Sequence, residues 1–282
     1  MSHIISVGEF TVTALADGAS YLPPLFYPGA DFSAEPHLLD ADGTFHIRCG
    51  AFLIQGGART ILVDAGVGPT RMPFPADLTA AAGLTDPPEF LVSGGGLPDS
   101  LAAAGVDPAA VTAVVLTHLH LDHIGWVAPE GKPFFPHAEV YYGAADWAAL
   151  ITPAAPDDPA RIIMETAAAA GILRPLDAPA VEIVPGIVAR HTPGHTPGSY
   201  VVSVSSQGER ALLTGDVIQH PGQLTDAGIS FLNDVDIAQA TRARAGLLTG
   251  VAGQDVTLAT AHLDQPIFRR VTADNRWVAA PE

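Results

Sequence analysis

One short stretch, residues 117–123, limits most strongly what this chain can fold into. It reads Thr-His-Leu-His-Leu-Asp-His and places three imidazoles and one carboxylate within six consecutive residues. The β-branched, apolar run at residues 113–116 directly before it predicts a buried strand. A solvated polar turn would favour Gly, Asn, Ser and Asp instead. This density of imidazoles on a loop after a strand therefore indicates a metal site.

The spacing of the four side chains predicts two metal positions. In an extended segment His118 and His120 point the same way. Asp122 and His123 follow after the chain has begun to turn, so they can face a second point nearby. Imidazole and carboxylate ligands without thiolate favour zinc, with Mn, Fe and Co as alternatives. We expect two divalent metal ions, with zinc as the first choice.

The pattern His-x-His-x-Asp-His resembles the metal motif of the metallo-β-lactamase superfamily. Members of this family supply further ligands from later loops, and this chain has matching residues after three later apolar runs: His195, Asp216 and His262. The resemblance implies that the first ion is held by His118, His120 and His195. It implies that the second is held by Asp122, His123 and His262, with Asp216 bridging the two.

The same resemblance implies the fold, an α+β four-layered αββα sandwich with the metals at one edge between two sheets. The sequence pattern alone predicts only mixed α and β structure, with strand-rich halves around a helical middle at residues 143–171. Hydrophobic residues make up 48% of the chain and charged residues 15%, which suits a globular protein. We interpret residues 1–282 as a single domain of this type.

Local patterns predict most of the individual elements. They predict a strand at 10–15 ending in an Asp17-Gly18 turn, a hairpin of 45–54 and 59–63, and an irregular surface loop at 69–96 that rims the pocket. Helices are predicted at 97–104, 143–151, 159–170 and 234–248. Further strands are predicted at 138–142, 181–184, 187–190, 200–204, 211–213 and, as the last strand, 256–259.

Residues 21–42 form a long segment rich in proline and aromatic residues. Long loops are often functional, so we predict a substrate cap in which Phe26 and Tyr27 contact the substrate. The alternative is that the aromatic residues only attach the loop to the body of the protein. Asp64 follows the second hairpin strand and is predicted to orient a ligand histidine, or else to form a turn.

Composition excludes several partners. The formal net charge is −17, so nucleic acid is not expected to bind. No stretch approaches the ~18 apolar residues of a membrane span, and residues 1–10 lack the features of a secretory signal. We expect a cytoplasmic protein with a small-molecule substrate, and a homodimer remains open. Cys49 is the only cysteine and is predicted to be a small buried core residue.

The predicted ligands support hydrolysis without a covalent enzyme intermediate. Two ions hold a bridging hydroxide, aim it at a carbonyl or phosphoryl group and stabilise the resulting oxyanion. Asp122, Asp216 and His220 are the candidate catalytic residues, His220 as proton donor to the leaving group or, alternatively, as a structural histidine.

The general layout resembles the lactonase and organophosphate-hydrolase branch of the family. A bridging Asp points to a lactone, ester, thioester or phosphoester. Acyl-homoserine lactonases of this fold commonly carry Tyr three residues after the bridging Asp, where this chain has Gln219, a candidate substrate contact. The alternatives are a phosphotriesterase-like or thioester hydrolase, and a mononuclear iron dioxygenase of the same fold.

Overall fold

Two β-sheets, one from each half of the chain, form the framework of the computed structural model, which describes residues 3–274 and 276–281. The first sheet has nine strands in the order β5-β6-β2-β3-β4-β7-β8-β9, with β1 paired to β2. Its strands are β1 Ile4–Val7, β2 Phe10–Leu22, β3 Phe45–Gly56, β4 Arg59–Val63, β5 Arg71–Pro73, β6 Phe90–Ser93, β7 Ala113–Val115, β8 Glu139–Gly143 and β9 Leu173–Leu176.

The second sheet has seven strands in the order β10-β11-β12-β13-β14-β15-β16. They are β10 Ala180–Val184, β11 Ile187–His191, β12 Tyr200–Ser206, β13 Glu209–Leu213, β14 Thr257–Ala259, β15 Phe268–Val271 and β16 Trp277–Ala279. Only β13 and β14 pair in parallel; the other neighbours are antiparallel.

The helices flank the sheets. They are α1 Ala76–Ala82, α2 Leu97–Ala103, α3 Leu121–Ile124, α4 Ala144–Asp146, α5 Pro159–Ala169 and α6 Ile237–Val251. A π-helical turn at Trp147–Ile151 extends α4, so the predicted helical middle is confirmed. Gly105 and Gly171, both with positive φ, follow α2 and α5. Within the described residues, none of these helices is long and apolar enough to cross a membrane.

Three buried clusters establish the layer order. Phe52 and Val115 of the first sheet pack with Val202 and Leu213 of the second, so the two sheets face each other. On its other face the first sheet packs against α2, α3 and α5. On its other face the second sheet packs against α6 through Leu248. The predicted αββα sandwich is therefore confirmed.

The strand before the histidine motif is buried on both faces. Val114 packs toward the helices, and Ala113 and Val115 pack toward the second sheet. Strand β7 pairs in parallel with β4 on one side and β8 on the other. A continuous apolar run is what a strand in this position requires. The sequence pattern therefore predicts the strand correctly, and β7 is an interior strand of its sheet, third from the β9 edge.

The predicted turn at Asp17-Gly18 is wrong. Strand β2 continues through both residues to Leu22, with a bulge between Ala16 and Gly18. A Cβ on Gly18 would lie 1.9 Å from the Ser93 carbonyl oxygen, so this glycine permits the close approach of β6. Because Asp-Gly is common both in turns and in bulges, the dipeptide alone does not separate them.

The Asp17 side chain is buried and joins three segments of the chain. Its oxygens accept hydrogen bonds from the backbone N–H groups of Val67 at 2.6 Å and Leu97 at 2.8 Å. They also accept one from the indole N–H of Trp126 at 2.8 Å. These contacts fix the first turn of α2 and the segment after α3 relative to β2.

Two further boundaries differ from the prediction. Residues 69–96 contain β5, α1 and β6 rather than an irregular loop. Strand β14 is not the last, because β15 and β16 follow it. These strands are short and bounded by Pro, Gly and Asp, so their pattern is too brief to be recognised locally.

Replacing Asp17 by Asn is expected to lower the free energy of unfolding by about 3 kcal/mol, because hydrogen bonds to a charged group contribute ~1.5 to 3 kcal/mol each. Urea denaturation measures the change. The control is Asp86→Asn, an exposed carboxylate, for which a change within ~0.5 kcal/mol is expected. Equal stability of the two variants would contradict the anchoring role.

Candidate metal centre

Five ligand-bearing segments meet at one edge between the sheets. His118 and His120 follow β7, and Asp122 and His123 lie on the first turn of α3. The remaining predicted ligands each follow a strand of the second sheet: His195 follows β11, Asp216 follows β13 and His262 follows β14. The structure thus brings together all seven residues that the sequence predicted as metal ligands.

The turn that carries Asp216 packs directly on the histidine motif. This 3-10 turn, Gly215–Val217, begins at Gly215 with φ of +50°. A Cβ at this position would lie 2.7 Å from the Cβ of Thr117. Both the backbone conformation and the close approach therefore require glycine.

The first group consists of His118, His120, His195 and Asp216, whose ligand atoms all lie within 4.8 Å of one another. His118 Nε2 and His195 Nε2 lie 2.9 and 3.0 Å from His120 Nδ1. Three imidazole nitrogens so close together can share one cation. His120 faces the group with Nδ1, whereas the other two use Nε2.

The second group consists of His123, Asp216 and His262, also within 4.8 Å of one another. The Nε2 atoms of His123 and His262 lie 3.1 and 3.0 Å from Asp216 Oδ1. Asp122 Oδ2 completes the group at 3.6 and 3.5 Å from the same two nitrogens.

Asp216 belongs to both groups through different oxygen atoms. Its Oδ1 faces His123 and His262, while its Oδ2 lies 3.7 Å from His118 Nε2 and 3.3 Å from His195 Nε2. A single carboxylate with each oxygen directed at a different pair of imidazoles is the arrangement that a bridge between two cations needs.

The electrostatics of the group suit cations. Burial, reinforced by His123, holds the pKa of His118 well below its usual value, and burial with His195 lowers the pKa of His120 to about 4. Both imidazoles therefore offer lone pairs at neutral pH. Burial opposes protonation of His123 and His262 as well, but the surrounding acidic groups, with Asp216 foremost and Asp122 among the others, together outweigh it and raise the pKa of both.

Two buried polar atoms without a hydrogen-bond partner among the described residues also indicate that the site fits cations. His123 Nε2 and Asp216 Oδ1 are buried and lie 3.1 Å apart, yet neither has a hydrogen-bond partner within the described residues. In that same part of the chain, no Lys or Arg forms an ion pair with Asp122 or Asp216. Atoms that approach without bonding each other are oriented toward a shared third point, so the residues fit divalent ions.

The buried carboxylate of Asp64 orients His123, a member of the second group. Asp64 Oδ2 lies 2.9 Å from His123 Nδ1, which directs Nε2 toward Asp216. Its other oxygen accepts the backbone N–H of Thr117 at 2.7 Å. Asp64 has φ of +64°, a conformation that Asp and Asn tolerate better than most residues. The predicted contact of Asp64 with a ligand histidine is confirmed.

Two other orienting contacts lacked any sequence signal. His195 Nδ1 lies 2.9 Å from Asp234 Oδ1, and Asp234 in turn lies 3.7 Å from the buried guanidinium of Arg244 on α6. His262 Nδ1 donates to the Arg48 carbonyl oxygen at 2.8 Å. Each contact leaves Nε2 as the ligand atom, which is how ligand histidines are usually oriented.

Asp146 joins two of the ligand loops and was also missed. Its Oδ2 accepts the backbone N–H of Leu119 at 3.1 Å and the Thr196 hydroxyl at 2.9 Å. Its Oδ1 accepts the backbone N–H of Gly198 at 2.6 Å. The carboxylate thereby fixes the loop of His118 relative to the loop of His195.

A cavity of about 220 Å³ opens onto both groups. Its polar floor is formed by His120, Asp122, Asp216 and His262, with Gln219 beside them. Its walls are largely apolar. They come from strands of the first sheet, from the 21–42 segment and from the segment before α6, and their apolar side chains are Leu22, Phe26, Ile47, Met72, Leu91, Val92 and Phe231. Residues 69–96 thus rim the site as predicted.

Comparison with known proteins agrees with this geometry. The family model described as the metallo-beta-lactamase superfamily matches residues 48–254. The chain belongs to the metallo-beta-lactamase superfamily. The histidine motif, His195 and Asp216 lie within that matched region, and His262 lies shortly after it; hydrolases and lactonases are among the relatives found.

Among curated proteins, N-acyl homoserine lactonase AiiB of Agrobacterium fabrum is 37% identical over 86 residues, which is 30% of this chain and 31% of that protein. The match thus spans less than a third of the length of that relative. Among solved structures, the hydrolase AbOPH of the beta lactamase superfamily has a TM-score of 0.81 at 21% identity, covering 99% of this chain and 97% of that one.

A second solved structure is AidC, a dizinc quorum-quenching lactonase in complex with a product, N-hexanoyl-L-homoserine. Its TM-score is 0.79 at 23% identity, with 99% of this chain and 97% of that chain covered. At such identities the two structures are evidence for the shared superfamily fold alone.

Of the remaining predicted site residues, Phe26 and Gln219 line the cavity and Tyr27 does not. Phe26 lines the cavity, and Gln219 lines it while donating its amide N–H to the Asp216 carbonyl oxygen at 3.2 Å. Tyr27 lies behind Phe26, packed against Phe45 and Phe231, and is only 1% exposed.

His220 lies among aromatic rings rather than in the cavity lining. The rings of Tyr27, Phe32 and Phe45 are centred 5.2, 5.2 and 5.0 Å from its own. Its Nδ1 accepts the Gly222 backbone N–H at 3.0 Å, and burial lowers the pKa of its imidazole to about 4. The structure therefore favours the structural alternative for His220 over the proton donor.

Cys49 is buried, as predicted, but it is more than a core residue. Its Sγ lies 3.9 Å from Asp122 Oδ2, and the ligand atoms of Cys49, Asp122 and His262 lie within 4.8 Å of one another. No local pattern indicates this position, because Cys49 is separated from the histidine motif by more than sixty residues.

Replacing Asp64 by Asn should weaken binding of a divalent ion by about 10- to 100-fold, because an amide no longer fixes the charge and tautomer of His123. Asn tolerates the positive φ, so the fold should persist. Competition with a chromophoric chelator measures affinity. The matched control is Asp158→Asn at the N-terminus of α5, where Asn caps as well as Asp; unchanged affinity in both variants would refute the orienting role.

Proposed function

We propose that this protein is a dinuclear metal-dependent hydrolase that opens a lactone or ester bond. The observation that carries the proposal is the division of Asp216 between two groups, Oδ1 toward His123 and His262 and Oδ2 toward His118 and His195. Membership of the superfamily and the lactonases among the relatives support hydrolysis as the reaction.

The first ion would be held by His118, His120 and His195, and the second by Asp122, His123 and His262, with Asp216 shared. When bound, two such ions lower the pKa of a water to supply the nucleophile and polarise the bond to be cleaved; zinc is our first choice. The chain's own residues hold the ligand atoms in place, and the carboxylates that orient the ligands or their loops, Asp64, Asp146 and Asp234 among them, are themselves buried.

The cavity wall supports a substrate with an apolar substituent. The polar floor is where a reacting carbonyl would lie, and the apolar side chains of Leu22, Phe26 and Phe231 face it. The volume of about 220 Å³ is small for a ligand pocket. A lactone or short ester with a modest apolar chain suits this space better than a bulky substrate, and lactonases among the relatives favour the lactone.

Tyr27 is positioned to assist this reaction. Its hydroxyl is buried and has no hydrogen-bond partner within the described residues. Burial, and then the carboxylates of Asp216 and Asp122, raises the pKa of its phenol, so the hydroxyl keeps its proton and feels the charges of the metal centre. Tyr27 does not itself line the cavity, and we infer that its hydroxyl donates a hydrogen bond to a substrate once one is bound. Acyl-homoserine lactonases of this fold commonly carry a Tyr for contact with the substrate at the position where this chain has Gln219.

The loop at residues 21–42 would then both cap the site and attach to the body. Its backbone is fixed to the 230–232 segment, because the Phe26 and Pro28 carbonyl oxygens accept the N–H groups of Leu232 at 2.9 Å and Ser230 at 3.0 Å. Phe26 faces the cavity, while Tyr27 packs among aromatic rings. The two alternatives drawn from the sequence are therefore compatible.

Metal analysis together with a hydrolysis screen tests the proposed function. We expect close to two transition-metal ions per chain and activity on members of a lactone, ester, thioester and phosphotriester panel. Asp216→Asn should lower both occupancy and turnover, since the amide cannot serve two cations, whereas Asp226→Asn, an exposed carboxylate, should change neither. One ion at saturation, or a single iron with oxygen consumption, would contradict the dinuclear hydrolase.

Paired substitutions separate the two roles of the loop. Phe26→Ala should raise KM for apolar substrates about 10-fold and change their ranking, because a lost apolar contact is worth ~1 to 3 kcal/mol. Tyr27→Phe should instead lower kcat by on the order of 10²-fold, as loss of a transition-state hydrogen-bond donor does. Steady-state kinetics across the panel measure both.

Tyr21→Phe is the matched control for the hydroxyl, because Tyr21 lies on β2 with its ring 5.3 Å from that of His46, whereas Tyr27 packs among the rings of Phe45, Phe231 and His220. Metal content should stay constant in all three variants. If they lower only the melting temperature, leaving relative kcat/KM unchanged, the loop serves packing alone.

A further inference from the structure

The thiol of Cys49 lies beside the second group of ligands. Strand β3 runs past the metal centre, and on it Ala51 and Leu53 face the helix layer that includes α3. Cys49, two residues earlier, shares that face because side chains alternate along a strand. This explains why its sulfur meets Asp122, which lies on α3, rather than the core between the sheets.

The distances are those of atoms that share one ion. With metal–sulfur and metal–oxygen bonds of ~2.3 and ~2.1 Å, two ligands of one ion lie ~3 to 4 Å apart. Cys49 Sγ is 3.9 Å from Asp122 Oδ2, and His262 Nε2 is 3.5 Å from the same oxygen. Two buried atoms without a hydrogen-bond partner among the described residues, His123 Nε2 and Asp216 Oδ1, belong to the adjoining group, which shares His262 with Cys49 and Asp122, and they independently indicate a cation beside it.

The surroundings of the thiol leave its sulfur available. Cys49 is fully buried, and its other close polar neighbours are the Ser20 hydroxyl at 3.4 Å and the His262 imidazole. His262 is fixed by donating Nδ1–H to the carbonyl oxygen of Arg48, the residue directly before Cys49 in β3. The same strand thus orients one ligand and presents a second donor beside it.

We propose that Cys49 Sγ is a further ligand of the ion at the second group, beside Asp122, His123, His262 and Asp216. The inference rests on the proposed metal centre and goes beyond it, because it adds a sulfur ligand at only one of the two ion positions. The S–H proton leaves to solvent as the sulfur–metal bond forms, since only a thiolate binds. A thiolate favours thiophilic ions such as zinc and cadmium over manganese at this position.

Cobalt substitution tests the proposal directly. The purified protein loaded with Co²⁺ should show a thiolate-to-cobalt charge-transfer band in the near ultraviolet, reaching full intensity as the second ion binds. Cys49→Ser and Cys49→Ala should lose the band while still binding cobalt. Ser20→Ala is the matched control, since it changes the neighbour of the sulfur and leaves the sulfur in place, so its band should remain.

Affinities give a second readout that does not depend on activity. Cys49→Ser, which keeps the side chain close to its original size, should lower affinity for Cd²⁺ by at least about 10-fold and change affinity for Mn²⁺ little. Circular dichroism confirms that each variant is folded.

The outcomes separate this inference from the proposed function. Two bound cobalt ions without a charge-transfer band in the wild-type protein would overturn the thiolate ligand and leave the dinuclear hydrolase standing. Equal losses of Cd²⁺ and Mn²⁺ affinity in Cys49→Ser would also overturn it, because they would show a packing effect. A protein that bound no cobalt would overturn both.

Discussion

A single buried carboxylate, Asp216, determines how the rest of the centre must be arranged. Its two oxygens contact four imidazoles that come from both sheets: Oδ1 contacts His123 and His262, and Oδ2 contacts His118 and His195. Burial alone would raise the pKa of this carboxyl, but His262 and His123 hold it well below its usual range. Because an isolated buried charge costs several kcal/mol, the group is stable only where opposite charge is concentrated. The edge at which β7, β11, β13 and β14 all end supplies that position.

Most ligands lie on loops, so their geometry depends on the residues that hydrogen-bond to the ligands or to their loops. Ordering loop residues costs conformational entropy, and here three buried carboxylates offset it by joining segments far apart in sequence. Asp64 joins the end of β4 to the histidine motif, Asp146 joins that motif to the His195 loop, and Asp234 joins His195 to α6. Each contact fixes a ligand or its loop before any ion is required. Selection for metal binding would therefore act on these supporting residues as well as on the ligands.

The parts of this structure that the sequence predicts are those encoded locally. The histidine motif, the 45–63 hairpin and the buried strand β7 each have their signal within a dozen residues. The parts that were missed depend on distant contacts. Asp17 was interpreted as a turn residue because its partners, Val67, Leu97 and Trp126, lie 50 to 109 residues away. Asp146 and Asp234 are single acids without a motif, and Cys49 meets Asp122 only because β3 passes beneath α3. The layer order likewise came from family resemblance, since periodicity assigns faces but does not pair them.

In the part of the chain that the structure describes, the buried hydroxyl of Tyr27 has no hydrogen-bond partner. Leaving a buried donor without a partner costs about 1 to 3 kcal/mol, and rings of Phe32, Phe45, Phe231 and His220 around Tyr27 prevent it from turning toward water. A substrate that brings an acceptor to the floor of the cavity would remove that cost, while one without an acceptor would leave it in place. Discrimination of this kind exceeds what an apolar wall achieves by shape, because an unpaired polar group is penalised more than a missing methylene. If Tyr27 donates to the substrate as proposed, the aromatic cluster would contribute to selectivity by keeping the Tyr27 hydroxyl without a partner until substrate binds, in addition to burying apolar surface.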